Sequence, residues 1–228
     1  MSLHVLFEDF HLIAVNKPAP LLTQGPPGVP SLEALVKAHI KEKYLKPAGV
    51  YLGIPQRLDR PVSGVIVFAR NTKAAQRLAA QFQQHEVSKV YWALVEGDVR
   101  PDAGTWRDWL RKLAAEARSE RVEPDAPLAK EAVTDYRVVR RTGDGTLLEL
   151  KARTGRMHQL RIQASLRGHP IVGDELYQSH RTFGPNAELA RDRIVALHAR
   201  SLTFTHPVRD EPVTVEAPLP AVWETVLA

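Results

Sequence analysis

A single carboxylate stands between two arginines in the segment IPQRLDRPVSG, residues 54–64. The acid is Asp59, and the arginines are Arg57 and Arg60. One interpretation is a salt bridge on a surface turn, which contributes little to stability. Another is a carboxylate that its cationic neighbours keep ionised for use as a nucleophile or base. The arginines could equally bind phosphates, so the spacing alone leaves these interpretations open.

A second cluster of donors lies in RTGRMHQLR, residues 153–161. The composition predicts a helix over residues 155–168, on which His158 and Arg161 would share a face as i,i+3 neighbours. Arg156 adds a further donor near the start of this helix. A solvated basic helix face explains the cluster as well as a binding site does.

Tyr91 lies in KVYWALVEG, residues 89–97, a predicted strand. A half-buried tyrosine is the ordinary interpretation. The functional one is an aromatic plate under a nucleobase, where stacking is worth about 1–3 kcal/mol. The later segment HPIVGDELY, residues 169–177, predicts a structural turn.

The sequence favours neither a metal nor a nucleotide cofactor. There is no cysteine, and His158 and His169 lack helical ligand spacing with acidic partners. The GxGxxG, GxxxxGK[ST] and GxSxG motifs are missing from the sequence.

The elements that must position these side chains alternate irregularly between strand and helix, which indicates an α+β fold of one domain. Interior strand character is strongest in GVIVFAR, residues 64–70. Ser31 and Asn71 are predicted helix N-caps. Residues 104–120 fit a helix or an extended stretch. Two hairpins are predicted, one around residues 143–145 and one over RSLTFTHPVRDEPVTVEAP, with a short helix after Pro220.

The bulk composition points to a polyanionic partner. The chain has 228 residues, a net charge of +5 and a pI of about 9.6. RNA or DNA is therefore a better partner than a membrane surface. No stretch approaches 18 uninterrupted apolar residues, and the N-terminus is unlike a signal peptide. These features predict a cytoplasmic protein.

Taken in order, the segments resemble the motifs of the large ribosomal-subunit type A family of pseudouridine synthases. That family shows an RLDxxTSG-like segment, a KxYxAxVxG-like strand and a GRTHQIR-like helix followed by GxPIxGDxxY. The corresponding segments here are RLDRPVSG, KVYWALVEG, GRMHQLR and GHPIVGDELY, and VNKPAPLLT resembles the family's NKPxGLxV strand. The chain departs from the pattern at Pro20, Gln56, Val62 and Met157.

This resemblance implies a mixed, mainly antiparallel central sheet flanked by helices and loops. It implies a single catalytic domain over residues 1–228, without the S4-type RNA-binding domain that some members carry. It also implies isomerisation of uridine to pseudouridine in ribosomal or transfer RNA, without a cofactor.

The resemblance also assigns roles. Asp59 would act near C1′ or C2′ of the ribose, through either a covalent ester or a glycal. Arg161 would keep Asp59 ionised, and Tyr91 would confine the detached uracil. Arg57 would fill the space left by the flipped nucleotide, although a phosphate contact or pairing with Asp59 explains it nearly as well. The other predicted RNA-binding residues are Arg60, Arg156 and His158.

Two other functions fit parts of the sequence. A non-catalytic RNA-binding module for ribosome assembly would need the basic face but not Asp59. A glycosidase-like hydrolase would need a second acid, for which Glu96 and Asp174 are candidates. Neither of these acids lies in a matching acid/base signature.

Overall fold

The computed structural model describes residues 3–47, 49–113 and 116–227. The strands, in chain order, are β1 (His4–Glu8), β2 (Leu12–Lys17), β3 (Ser63–Ala69), β4 (Ser88–Glu96), β5 (Ala103–Lys112), β6 (Ser119–Arg121), β7 (Lys130–Thr142), β8 (Gly145–Ala152), β9 (Leu197–Thr205) and β10 (Pro212–Glu216). The helices are α1 (Leu32–Lys43), α2 (Thr72–Gln83), α3 (Gln159–Ser165) and α4 (Glu224–Leu227). The predicted α+β class is confirmed. Across the described ranges, no helix is both long and apolar enough to cross a membrane.

The chain divides into two compact units. The first comprises Met1–Ser88 and Ala199–Pro220, and the second comprises Lys89–His198 and Ala221–Ala228. The single catalytic domain over residues 1–228 stays a prediction.

In the first unit, β2 pairs antiparallel with both β1 and β3, and β9 pairs antiparallel with β10. All seven residues of β3 are buried, as its apolar run predicts for an interior strand. The register places Lys17 opposite Gly64, at the beginning of β3. Gly64 has a φ of 118°, and a side chain there would collide with the main chain of Ala199. Only glycine fits this close approach.

Both helices of the first unit begin at their predicted caps. The Ser31 hydroxyl accepts a hydrogen bond from the Ala34 amide at 3.3 Å, at the start of α1. The Asn71 side chain accepts one from the Ala74 amide at 2.9 Å, at the start of α2. Each cap satisfies an amide that has no partner within its helix.

The second unit contains an antiparallel sheet in the order β4-β8-β7-β5-β6. The predicted hairpin around residues 143–145 is confirmed as the β7–β8 turn. The ambiguous residues 104–120 contain β5 and β6. Trp106, Asp108 and Leu110 are buried on one side of β5. This period of two is that of a strand, although the residue types also suit a helix.

The predicted helix over residues 155–168 is wrong at its N-terminal end. Helix α3 begins only at Gln159, and His158 precedes it in a left-handed conformation with a φ of 53°. The Gln159 side-chain oxygen accepts hydrogen bonds from the Thr154 hydroxyl and the Arg156 amide, at 2.7 and 3.0 Å. These bonds close a turn where a helix was expected. His158 and Arg161 therefore do not share a helix face.

Candidate active site

The main chain on each side of Asp59 is attached to the segment that follows β2. The Thr23 hydroxyl donates to the Leu58 carbonyl at 2.8 Å and accepts from the Leu58 amide at 3.1 Å. On the other side, the Leu21 amide donates to the Arg60 carbonyl at 3.1 Å. A loop has no regular partners for its main chain, so these bonds fix the position of the acid.

Lys17 completes this attachment. Its ammonium is fully buried and donates to three carbonyl oxygens, those of Leu21 at 2.7 Å and of Pro18 and Arg60 at 3.2 Å. Burial lowers the pKa of Lys17 to about 7; the negative charge of Asp59 opposes this shift, and the positive charge of Arg60 adds to it. Lys17 therefore lies close to the carboxylate and holds the loop through neutral acceptors.

One feature of the sequence singles out Lys17. A charged residue ends the otherwise largely apolar strand LIAVNK, directly before a proline. Lysines are rarely buried without a specific set of partners. A buried strand that ends in lysine is thus a reason to look for main-chain carbonyls nearby.

The three charged side chains of the predicted segment differ in exposure. Asp59 and Arg60 are half-buried, and Arg57 is exposed. The exposed position suits the predicted contact of Arg57 with RNA. The half-buried position of Asp59 combines access with restricted motion.

In the second unit, Arg161 forms a buried ion pair. Its guanidinium donates to both carboxylate oxygens of Asp174, at 2.6 and 2.8 Å. Arg161 is 5% exposed and Asp174 is 1% exposed. Two parallel bonds of this kind fix the orientation of the guanidinium as well as its position. The segment HPIVGDELY, which is predicted as a turn, therefore supplies the ion-pair partner of Arg161.

Tyr177 connects Arg161 to the turn before α3. The Arg161 guanidinium carbon lies 5.2 Å from the centre of the Tyr177 ring, within the range of a cation–π contact. The Tyr177 hydroxyl is 3.0 Å from Nδ1 of His158 and accepts from the Ser119 amide at 3.0 Å. The left-handed backbone of His158 is thus supported by a side-chain contact.

Two glutamines anchor α3 to the sheet. Gln163 is fully buried; it accepts from the Thr134 hydroxyl at 2.7 Å and donates to Asp108 at 2.8 Å. Gln159 donates to the Val133 carbonyl at 3.1 Å. These bonds, together with apolar packing of Ile162, hold the helix that carries Arg161.

Tyr91 lies on β4, half-buried and opposite Leu150 of β8. It belongs to the second unit together with Arg156, His158 and Arg161, whereas Asp59, Arg57 and Arg60 belong to the first. The roles assigned to these residues, including the pairing of Arg161 with Asp59, stay predictions.

The acids considered for a hydrolase already have donors. Asp174 is paired with Arg161. Glu96 accepts from the Ser179 hydroxyl at 2.6 Å and from the His180 amide at 3.0 Å. A general acid must instead present a proton to the leaving group. These contacts disfavour the glycosidase-like interpretation.

Comparison with known proteins identifies a family. Residues 11–166 match the family described as RNA pseudouridylate synthase. The tRNA pseudouridine synthase C of Salmonella typhi is 34% identical, over 99% of this chain and 88% of its own. The ribosomal large subunit pseudouridine synthase C of Vibrio vulnificus is 30% identical, over 98% of this chain and 68% of its own. The solved structure of human RNA pseudouridylate synthase domain containing 4 superposes with a TM-score of 0.78 and 26% identity, covering 98% of this chain and 91% of that one.

Proposed function

The chain belongs to the RNA pseudouridylate synthase family and is an RNA isomerase, and from that premise we propose that Asp59 is its nucleophile or base in the conversion of uridine to pseudouridine. We further propose that the substrate is structured ribosomal or transfer RNA. The names of the two relatives span both RNA classes. The basic surplus of the chain suits either one.

The reaction requires few groups from the protein. The bond between C1′ and N1 of uracil breaks, the base turns, and a bond forms between C1′ and C5. The hydrogen on C5 then leaves as a proton and N1 gains a proton, so the step is an isomerisation that needs no redox partner. A carboxylate, a cation and a surface for the free base supply the steps at C1′. The proposal assigns these three roles to Asp59, Arg161 and Tyr91.

One observation carries the assignment of Asp59. The main chain is held on both sides of it, by Thr23 at Leu58 and by Lys17 and Leu21 at Arg60, while its side chain stays half-buried. Catalysis by a positioned group depends on geometry that a mobile loop cannot maintain. A carboxylate that served only in a surface salt bridge would not need this support.

Arg161 and Tyr91 are proposed to act on different parts of the reaction. Arg161 would keep the Asp59 carboxylate ionised, because an opposite charge favours the charged form. Its pairing with Asp174 and its contact with Tyr177 support a fixed guanidinium. The flat ring of Tyr91 would confine uracil while leaving it free to rotate in its plane.

The uridine must also leave its stack before the acid can reach the ribose, at a cost of a few kcal/mol. We propose that Arg57, which is exposed, occupies the vacated space. Phosphate contacts would offset the remaining cost. Arg60, Arg156 and His158 are the residues proposed for RNA contacts.

The proposal is tested by mapping pseudouridines in total RNA from cells with the wild-type chain, without it, or with Asp59→Asn. Asp59→Asn should lower the rate on the order of a thousandfold or more while RNA binding persists. Asp125→Asn, which removes an exposed loop carboxylate, is the matched control and should leave every site modified. If no site disappears without the protein, the proposed activity is wrong. If Asp59→Asn supports full biological activity, the catalytic role of Asp59 is wrong and the non-catalytic RNA-binding function is supported.

A further inference from the structure

Two cationic side chains of the second unit, Lys89 and Arg156, lie close together and bind only neutral acceptors. Lys89 is 8% exposed, and its ammonium donates to the Thr154 carbonyl at 3.1 Å. Nε of Arg156 donates to the Glu131 carbonyl at 2.9 Å. The Glu131 carboxylate is paired with Arg107 instead. Within residues 3–47, 49–113 and 116–227, neither cation forms an ion pair.

This arrangement is unfavourable for the protein alone. Burial lowers the pKa of Lys89, and the positive charge of Arg156 lowers it further. A buried charge ordinarily has a counter-ion, because desolvation costs several kcal/mol. The buried Arg161 follows this rule through Asp174. An anion beside Lys89 and Arg156 would relieve both their mutual repulsion and the desolvation of the ammonium.

Gly155 lies next to the Lys89 ammonium. This glycine is exposed, and outside residues 154–156 the nearest atom to the position of a Cβ built there is the Lys89 ammonium nitrogen, at 3.8 Å. Lys89 is also two residues before Tyr91 on β4, so both side chains emerge from the same side of the strand. An anion at Gly155 would therefore lie on the same side of the sheet as the ring proposed to confine uracil.

We propose that Lys89, Gly155 and Arg156 form a binding site for one phosphodiester of the RNA backbone, near the nucleotide that Tyr91 faces. This inference rests on the proposed function, since it takes the anion from an RNA substrate. A phosphodiester fits because it carries one negative charge and two free oxygens, one for each cation. Gly155 has no side chain, so the RNA backbone can approach the protein there.

The test measures RNA affinity as a function of salt. Lys89→Met and Arg156→Met are each compared with wild type by fluorescence anisotropy, using unmodified transcripts of ribosomal and transfer RNA across a range of KCl concentrations. Each variant should bind about tenfold more weakly at low salt. The negative slope of log affinity against log salt should become shallower by about 0.7, the value for one lost phosphate contact on a single strand. Lys151→Met is the matched control, because Lys151 is exposed in the same unit, and its slope should equal that of wild type.

A second arm begins with the wild-type protein, whose response to a modified RNA does not depend on the folding of a variant. A short uridine-containing RNA is prepared with a neutral methylphosphonate at one linkage at a time. One linkage near the uridine should weaken binding about tenfold, and on that RNA Lys89→Met should cause no further loss. Equal losses from Lys89→Met on every RNA, or equal slopes for Lys89→Met and Lys151→Met, would overturn the inference.

Pseudouridine formation by the wild-type enzyme is measured in parallel. If the enzyme forms pseudouridine but the salt slopes do not change, the phosphate site is wrong and the proposed function stands. If it forms none and the slopes change as expected, the phosphate site stands and the proposed function is wrong.

Discussion

The loop that carries Asp59 and the helix that carries Arg161 are positioned in opposite ways. The loop is held through its main chain, whose amide and carbonyl groups bind Thr23, Leu21 and Lys17. Helix α3 is held through its side chains, with Gln159 and Gln163 reaching the sheet. A helix uses main-chain groups in its internal hydrogen bonds, and in α3 the attachments to the sheet come from side chains. A loop has free main-chain groups, and they serve as its attachment points.

The buried cations that belong to these two regions also have different kinds of partner. Arg161 is neutralised by a direct carboxylate partner, whereas Lys17 is buried against carbonyl oxygens that carry no net charge. Removing one member of a buried ion pair destabilises the folded protein, because the other member remains buried and uncompensated. A buried ammonium among carbonyls is instead sensitive to its own protonation. The two segments should therefore respond to different perturbations.

The largest effect is expected from Asp174→Ala. This change removes the carboxylate that accepts both hydrogen bonds from the buried Arg161 guanidinium, which should lower the free energy of unfolding by about 3–5 kcal/mol. Urea denaturation measures the loss. Glu175→Ala removes the adjacent, more exposed acid that pairs with Arg193 and should cost less than about 1 kcal/mol. Equal losses for the two variants would mean that burial of the pair does not matter.

Alkaline pH should stabilise the loop of the first unit. The pKa of Lys17 is about 7 in the folded protein and near its ordinary 10.5 when unfolded, so the unfolded chain binds more protons between these values. Stability must therefore rise with pH in this window, by about 1.4 kcal/mol per pH unit. Between pH 7.5 and 9.5, wild type should gain about 3 kcal/mol relative to Lys17→Met, measured by urea denaturation.

A lysine on the surface provides the control for this pH dependence. Lys41→Met removes an exposed ammonium from α1. Its stability should follow that of wild type over the same pH range. Parallel curves for wild type and Lys17→Met would show that Lys17 titrates normally, and the contrast between the segments would be lost.

A smaller effect is expected where α3 meets the sheet. Gln163→Leu keeps the size of the side chain but leaves Thr134 and the Ala132 carbonyl without this partner, and Asp108 without one donor. We expect a loss of about 2–3 kcal/mol by thermal or urea unfolding. Gln83→Leu, at an exposed position on α2, should stay within about 0.5 kcal/mol of wild type. A neutral Gln163→Leu would show that apolar packing alone holds the helix.

The smallest loss of stability is expected from Thr23→Val, which removes the two hydrogen bonds to Leu58 without changing side-chain shape. The cost should be about 1–2 kcal/mol. Because the loop positions Asp59, kcat should fall while KM changes little, as steady-state kinetics on an RNA substrate would show. An unchanged kcat would mean that main-chain anchoring at Leu58 does not serve catalysis.

Sequence patterns predicted those parts of the fold that depend on local chemistry. The caps at Ser31 and Asn71 and the buried strand β3 follow from residue type and hydrophobic run. The beginning of α3 could not be predicted in this way. The Gln159 side chain accepts hydrogen bonds from the Thr154 hydroxyl and the Arg156 amide, and these bonds hold the preceding residues in a turn.

The contacts that hold the candidate site residues could not be predicted from the sequence. Asp174 follows Arg161 by 13 positions, and Lys17 precedes Arg60 by 43. Such pairs are brought together by the tertiary fold, and no periodic pattern links them. The resemblance of motifs indicates candidate site residues but not the contacts that hold them in place.

The close approach of Gly64 to Ala199 limits which amino acids can replace glycine at position 64. Every missense change at that codon adds at least one carbon atom, and the main chain of a neighbouring segment already occupies the space. In a library of all single amino-acid replacements, position 64 should therefore tolerate nothing, including alanine, whereas exposed Arg57 should lose activity without losing abundance. Measuring protein level and RNA modification for the same library would separate residues required for folding from residues required for activity within positions 57–64.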